Sequence, residues 1–139
     1  MTVITKNISL QTRGENNILD ITEKVKEAAA STKLKNGIVT IFVSGATGAL
    51  TTIEYEPGLL KDFPDMLERV APKNMVYEHE KRWHDGNGHS HVRASLLGSS
   101  LTVPFHNRQL TLGTWQQIIF IELDVSSRNR NLVLQIMGE

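Results

Sequence analysis

Four of the five histidines of this chain lie close together, between residues 79 and 91. They are His79, His84, His89 and His91. Imidazole titrates near neutral pH without help from its surroundings, and it is a common ligand of zinc. The cluster therefore predicts a metal site or an acid–base centre, and the alternative is a solvated, histidine-rich loop.

The spacing of these histidines suggests how they would be used. His89 and His91 would point to the same face of an extended segment, whereas on a helix they would point apart. A glycine-rich loop separates them from His79 and could fold back. We predict His79, His89 and His91 as ligands of a divalent metal, zinc or magnesium. We expect His84 to lie at the surface of the loop and His106, beside a hairpin turn, to be structural or exposed.

A second candidate is the run of small residues from Ser95 to Ser100. Such a run can offer backbone N–H groups to an anion, and the alternative is a helix that ends at Gly98. Arg93 precedes it and could contact a phosphate through two nitrogens. We predict Arg93, Ser95 and Ser99 as phosphate-binding residues.

A third candidate is Glu122, which follows four apolar residues. A carboxylate in a mostly buried strand normally has a partner or a chemical task. Glu122 is therefore predicted as a metal ligand, a general base or half of an ion pair at an interface. Trp115, a few residues earlier, is interpreted as a core or interface anchor.

Composition limits these interpretations. The chain has 139 residues, which suits a single domain over 1–139, and it has no cysteine, which excludes disulfides and thiolate chemistry. Lys plus Arg and Asp plus Glu both number 15, and this balance argues against a nucleic-acid binder. No leader-like or membrane-spanning apolar run is present, so we expect a cytoplasmic protein that does not bind membranes.

The elements that must position these residues follow from local patterns. Alternation and β-branched residues predict strands, and helical spacing predicts one helix after the Asp20–Glu23 capping-box pattern and another over 58–70. The turns 106–109 and 126–130 are read as hairpins. The predicted strands cover 2–12, 38–43, 50–55, 101–105, 110–112, 115–123 and 131–137. This order predicts an α+β fold with a mostly antiparallel sheet and two main helices.

Three segments in order resemble the YjbQ family, also known as UPF0047. They are Tyr77-Glu78-His79, the stretch from His91 through Arg93 to Leu101, and Gly113-Thr114-Trp115-Gln116. The resemblance covers nearly the whole chain and implies a compact, β-sandwich-like core assembled as a homotrimer. It also implies weak thiamine-phosphate synthase activity, in which a pyrimidine diphosphate is coupled to a thiazole phosphate, and a metal or anion site at His79 and His91.

The sequence departs from the family pattern at positions that matter for chemistry. Gly45 and Leu123 stand where the family has histidines, and Arg93 replaces a lysine. Two interpretations follow from the resemblance. Either His79, His91 and Glu122 form a catalytic site in which His89 or His84 replaces a missing histidine, or the chain is a catalytically impaired trimer that binds a metal or a phosphorylated ligand.

Overall fold

The computed structural model describes residues 1–139, with eight strands and four helices. The strands are β1 (Thr2–Gln11), β2 (Asn17–Asp20), β3 (Gly37–Val43), β4 (Gly48–Ile53), β5 (Ser100–His106), β6 (Gln109–Leu110), β7 (Gln117–Glu122) and β8 (Asn129–Gly138). The helices are α1 (Thr22–Ala30), α2 (Pro57–Val70), α3 (Glu78–Trp83) and α4 (Gly88–Leu97).

The strands form two antiparallel sheets. The larger sheet has the order β1-β8-β3-β5-β6, and the smaller has the order β2-β7-β4. Strand β8 is the last in the chain, yet it lies between β1 and β3 and pairs with both. This arrangement confirms the predicted α+β fold with a mostly antiparallel, sandwich-like core.

The main core lies between the two sheets. Val39, Ile41 and Val43 alternate along β3 and are fully buried, because every second side chain of a strand points to the same face. A second core of seven buried residues, which includes Leu67 and Ala94, lies on the other face of the smaller sheet, beneath α2 and α4. Strand β7 is therefore buried on both faces, which suits its continuous apolar run.

The helix predicted over 58–70 is confirmed as α2. The carboxylate of Glu56 caps it by accepting hydrogen bonds from the backbone N–H groups of Gly58 at 2.8 Å and Leu59 at 2.5 Å. Pro57 occupies the first turn, where its missing N–H costs nothing. Leu67 is the buried residue of this helix and anchors it on the second core.

The polar stretch after α2 differs from the prediction. We expected a loop around a glycine-rich turn, and the structure has α3 and α4 there, so the fold has four helices rather than two. Glycine, serine and histidine are poor helix formers, so the pattern alone favoured a loop. Contacts of His89 and Arg93 with residues outside α4 stabilise the helix instead.

Three smaller features also differ. Residues 126–130 do not close a hairpin, because β7 and β8 lie in different sheets. The capping box at α1 is absent: the Asp20 carboxylate accepts from the N–H and hydroxyl of Thr22 at 3.0 and 2.6 Å, and the N-cap residue is Ile21. The short strand β2 was not expected.

No helix combines the length and the apolar surface that a bilayer crossing requires.

Candidate functional site

Helix α4 presents two chemically different faces. His89 and Arg93 are four residues apart and lie in the interior, each 1% exposed. His91 and Ser95, also four residues apart, line a cleft at the surface. Since residues two apart on a helix are separated by about 200° around its axis, His89 and His91 point to different sides. The helical conformation therefore divides the histidine group that we predicted.

Helix α3 brings His79 next to His91. After Trp83 the chain reverses through His84 and Gly86, both in the left-handed region with φ of 56° and 68°, and then enters α4. The rings of His79 and His91 lie with their centroids 4.4 Å apart and their planes inclined by 48°. The structure thus brings together two of the three predicted metal ligands.

Two loop residues that the sequence analysis did not select hold the His79 ring. Nε2 of His79 lies 3.4 Å from Oδ1 of Asp85. With its Nδ2 turned toward Asp85, the buried Asn87 side chain donates to Oδ1 of Asp85 at 2.8 Å and to Nε2 of His79 at 3.0 Å. The Asp-Gly-Asn-Gly sequence around them is typical of a tight turn, so it gave no sign of this polar contact.

The cleft beside His91 has a volume of about 300 Å³ and is walled by small residues. One wall is the loop between β3 and β4, and the other is the C-terminal part of α4. Its lining residues are Gly45, Ala46, Gly48, His91, Ala94, Ser95, Gly98 and Ser99. The Ser95 hydroxyl donates to the His91 carbonyl at 2.9 Å, so this group is engaged within the helix. The structure places the predicted Ser95 and Ser99 at the cleft, and the β3–β4 loop is a wall that sequence reasoning missed.

Arg93, the third predicted phosphate-binding residue, does not reach the cleft. Its Nε donates to the Ala71 carbonyl at 2.9 Å, and its Nη2 donates to Oε2 of Glu68 at 2.7 Å. A weaker contact joins its Nη1 to Oδ1 of Asn16 at 3.5 Å. The phosphate contact predicted for Arg93 is unsupported, because its guanidinium is buried on the opposite face and fastens α4 to the end of α2.

His89, the remaining predicted ligand, also has an interior partner. Its Nε2 lies 2.7 Å from Oε2 of Glu15, which also forms an ion pair with Lys73. Burial by itself would raise the pKa of Glu15, but the hydrogen bonds and charges of Lys73 and His89 outweigh it and lower the pKa below its ordinary value. His89 therefore does not join His79 and His91, and no group of three or more His, Asp or Glu side chains is arranged to hold a metal ion.

Glu122 is fully buried and has its partner within the chain. Its Oε1 accepts from Nη2 of Arg130 at 2.5 Å and from the Asp124 N–H at 3.0 Å, and its Oε2 accepts from Nε of Arg130 and the Thr12 hydroxyl, both at 2.8 Å. The expectation of an ion pair was correct in kind, but the pair joins β7 to β8 across the two sheets. The geometry does not support Glu122 as a base or metal ligand.

The buried ion pair continues into a polar network at this end of the sandwich. The Thr47 hydroxyl accepts from Nη2 of Arg130 and donates to Oδ2 of Asp124, which also pairs with Arg128 at 2.8 Å. Burial would raise the pKa of Asp124, but the hydrogen bonds from Thr47 and Arg128 and the charge of Arg128 lower it on balance. The network fixes the β3–β4 loop, which contains Thr47 and forms one wall of the cleft.

Trp115 is not a core residue. It lies in the turn before β7 with 74% of its surface exposed, so of the two predicted roles only the interface anchor stays as a prediction. His84 and His106 are exposed, as expected.

Comparison with known sequences finds similar proteins over nearly the whole chain. The family model described as "UPF0047 protein YjbQ-like" matches residues 6–139. A UPF0047 protein of Methanothermobacter thermautotrophicus is 40% identical over 139 residues, covering all of this chain and 95% of the relative. A UPF0047 protein of Archaeoglobus fulgidus is 35% identical over 130 residues, covering 94% of this chain and 98% of the relative.

Solved structures show the same architecture. A crystal structure from Sulfolobus solfataricus, described as a YbjQ-like protein of unknown function, aligns with a TM-score of 0.94 at 31% identity and covers 99% of both chains. A hypothetical protein from Aeropyrum pernix aligns with a TM-score of 0.90 at 30% identity, covering 98% of this chain and 99% of the other.

Proposed function

The chain belongs to the UPF0047 (YjbQ-like) family, and on that basis we propose that it binds a small phosphorylated molecule in the cleft beside His91. The observation that carries the proposal is the position of His91 in the cleft wall, with its ring centroid 4.4 Å from the ring centroid of His79. The N–H of an imidazole ring can donate a hydrogen bond to a phosphate oxygen. The glycine and alanine residues of the opposite wall let a ligand approach the backbone closely.

The size of the cleft favours binding over a two-substrate reaction. A volume of about 300 Å³ is at the small end of ligand sites, which suits one phosphate-bearing group. The Ser99 hydroxyl is at the cleft as a further donor. Asp85 and Asn87 hold His79 in one ring orientation, and that pre-organisation reduces the entropy lost on binding.

Titration calorimetry with inorganic phosphate and with thiamine phosphate tests this proposal. We expect His91→Ala to weaken binding about tenfold or more, the usual scale of a lost charge-assisted hydrogen bond. His106→Ala is the matched control, because His106 is an exposed imidazole at the far end of β5. Equal affinities in the wild type and the His91→Ala variant would contradict the proposal.

Thiamine-phosphate synthase activity is the second candidate, and the His79–His91 pair favours it. In that reaction the bond between the pyrimidine methylene carbon and the diphosphate breaks, the thiazole nitrogen bonds to that carbon, and diphosphate leaves. Two adjacent imidazoles suit the leaving diphosphate, because they can stabilise its charge and donate a proton. Product formation from the two phosphorylated substrates, lost in His79→Ala, would support this activity.

A divalent metal at the same place has less support. His79 and His91 would supply two ligands, but zinc in proteins usually takes three or four from the chain. Nε2 of His79 already faces Asp85 and Asn87. The described side chains therefore do not fit a complete metal centre, and no step of the proposed binding depends on one.

We also propose that the protein assembles as a homotrimer, as the resemblance implies. The outward face of the larger sheet carries a cross-strand row of exposed apolar residues: Val3 faces Met137, which faces Ile38, which faces Pro104. A row of this kind on a sheet is suited to burial against another copy of the chain.

A further inference from the structure

Arg130 is a buried cation whose hydrogen bonds occupy only part of its guanidinium. It is 9% exposed and lies on the inward face of β8. Its Nε donates to Glu122, and its Nη2 donates to Glu122 and Thr47. Nη1 makes no hydrogen bond within the chain. Nη1 is therefore the nitrogen of this guanidinium that is left to donate to a ligand.

The free nitrogen lies directly behind Gly45. A Cβ atom placed on Gly45 would be only 2.7 Å from Nη1 of Arg130, and one placed on Gly48 would be 3.7 Å from Cζ of the same guanidinium. Both glycines line the cleft that contains His91. At Gly45, therefore, no side chain stands between the backbone of the β3–β4 loop and the guanidinium.

The Glu122–Arg130 ion pair is oriented with its positive end toward Gly45, which lines the cleft. Its negative end, Glu122, is fully buried among donors from Thr12 and Asp124. Its positive end, at Nη1, points toward Gly45. Of the two partners, only Arg130 has atoms within 4 Å of a Cβ position on Gly45, so for an anion seated against Gly45 the nearer end of the pair is the positive one. The pair then attracts the anion although its net charge is zero.

We infer that Arg130 is the fixed cation of the cleft, acting through the gap at Gly45, and that the ligand is a phosphate monoester or diphosphate anion whose oxygens face the β3–β4 loop. This inference rests on the proposed function and names the charge-bearing part of its ligand. It assigns to Arg130 the role that the sequence suggested for Arg93, which the structure buries elsewhere. It also gives Gly45 a role, since a side chain at that position would collide with Nη1.

Two variants test the inference with inorganic phosphate as the probe in titration calorimetry. Gly45→Ala adds one methyl group against Nη1, and the backbone at Gly45 accepts alanine because its φ is not in the left-handed region. Gly113→Ala is the matched control, because the nearest atom to its added Cβ would be 3.7 Å away. We expect the dissociation constant to rise about tenfold in Gly45→Ala and to stay unchanged in Gly113→Ala.

The second variant replaces the whole ion pair, Glu122→Leu with Arg130→Met. Apolar replacement of both partners is often neutral for stability, so the fold can be checked by circular dichroism before phosphate is added. We expect phosphate affinity to fall about tenfold or more in the folded double variant. Unchanged affinity in both variants, with His91→Ala still impaired, would overturn this inference alone. Absence of phosphate binding in the wild type would overturn the proposed function as well.

Discussion

His89 and His91 are two residues apart on α4 and face different environments. Nε2 of His89 lies 2.7 Å from the Glu15 carboxylate in the interior, whereas His91 lines the cleft with its ring centroid 4.4 Å from that of His79. One histidine thus fastens the helix to the rest of the molecule, and the other is available to a ligand.

Inorganic phosphate should distinguish the histidines by position. Added phosphate is expected to shift the imidazole NMR signals of His79 and His91 together, because their rings are adjacent at the cleft, and to leave those of His89 unchanged, because its Nε2 is bound to Glu15. His91→Ala should abolish the shift of His79. Equal shifts of all three histidines would contradict the division of α4 into two faces.

Removal of one partner of the Glu122–Arg130 pair should lower the free energy of unfolding, whereas replacement of both partners should change it little. Arg130→Met leaves a buried carboxylate without its cation, and we expect a loss of about 3–5 kcal/mol in the free energy of unfolding. Adding Glu122→Leu should restore most of it. Urea denaturation measures both, and Lys61→Met, which removes an exposed ion pair with Asp65, is the control expected to change little. An Arg130→Met variant as stable as the wild type would contradict the buried pair.

The stability that Glu15 contributes to the fold should be lost at acid pH. Its pKa in the folded protein is lowered, so the stability it contributes is fully present above its ordinary value of 4.5 and is lost as the pH falls through the lower, folded value. Glu15→Gln should therefore be less stable than the wild type at neutral pH, and the difference should shrink below pH 4.5. Glu23→Gln, at an exposed site, is the control. Denaturation at several pH values measures the effect, and a difference independent of pH would contradict it.

Asn87 should matter for the site more than its position in a loop suggests. Asn87→Ala removes the amide that contacts both Asp85 and His79, and we expect a loss of about 1–3 kcal/mol in stability. We also expect weaker phosphate binding, because His79 would lose its fixed orientation. Asn74→Ala, at an exposed position, should change neither quantity. Unchanged affinity in Asn87→Ala would show that the ring orientation of His79 does not matter for binding.

The proposed trimer should depend on the outward face of the larger sheet. Light scattering should give a mass about three times the 15.6 kDa of one chain. Ile38→Lys should reduce it to one chain, because a charge in an apolar interface is costly to desolvate. Val70→Lys, at an exposed apolar residue at the end of α2, is the control. A trimer that survives Ile38→Lys would place the contact elsewhere.

The sequence predicted most strands and α2 because these elements depend on local patterns. The alternation in β1 and the Pro57 start of α2 are visible without any tertiary contact. The end of α4 at Gly98 was one of the two alternatives that the sequence offered. The earlier part of α4 was not predicted, because its stability comes from distant partners of His89 and Arg93, which no local pattern reveals.

The site was predictable only in part, for the same reason. The cluster of His79, His89 and His91 was predicted, but which of these histidines meet depends on whether 89–91 is extended or helical, and the sequence left that choice open. The glycine at position 45 can be read from the sequence. That it lies against the guanidinium of Arg130, which follows 85 residues later, can be seen only in the structure.

The position of β8 sets the order in which the molecule can assemble. Because β8 follows the other seven strands in the sequence and lies between β1 and β3, the larger sheet stays split until β8 is added. Pairing of β1 with β8 joins opposite ends of the chain, which is the kind of topology that folds slowly. Arg130 lies on β8, so the polar network that fixes the β3–β4 loop also forms last. Until β8 has been synthesised, a nascent chain thus has the apolar residues of β1 and β3 exposed and the loop beside its cleft unfixed.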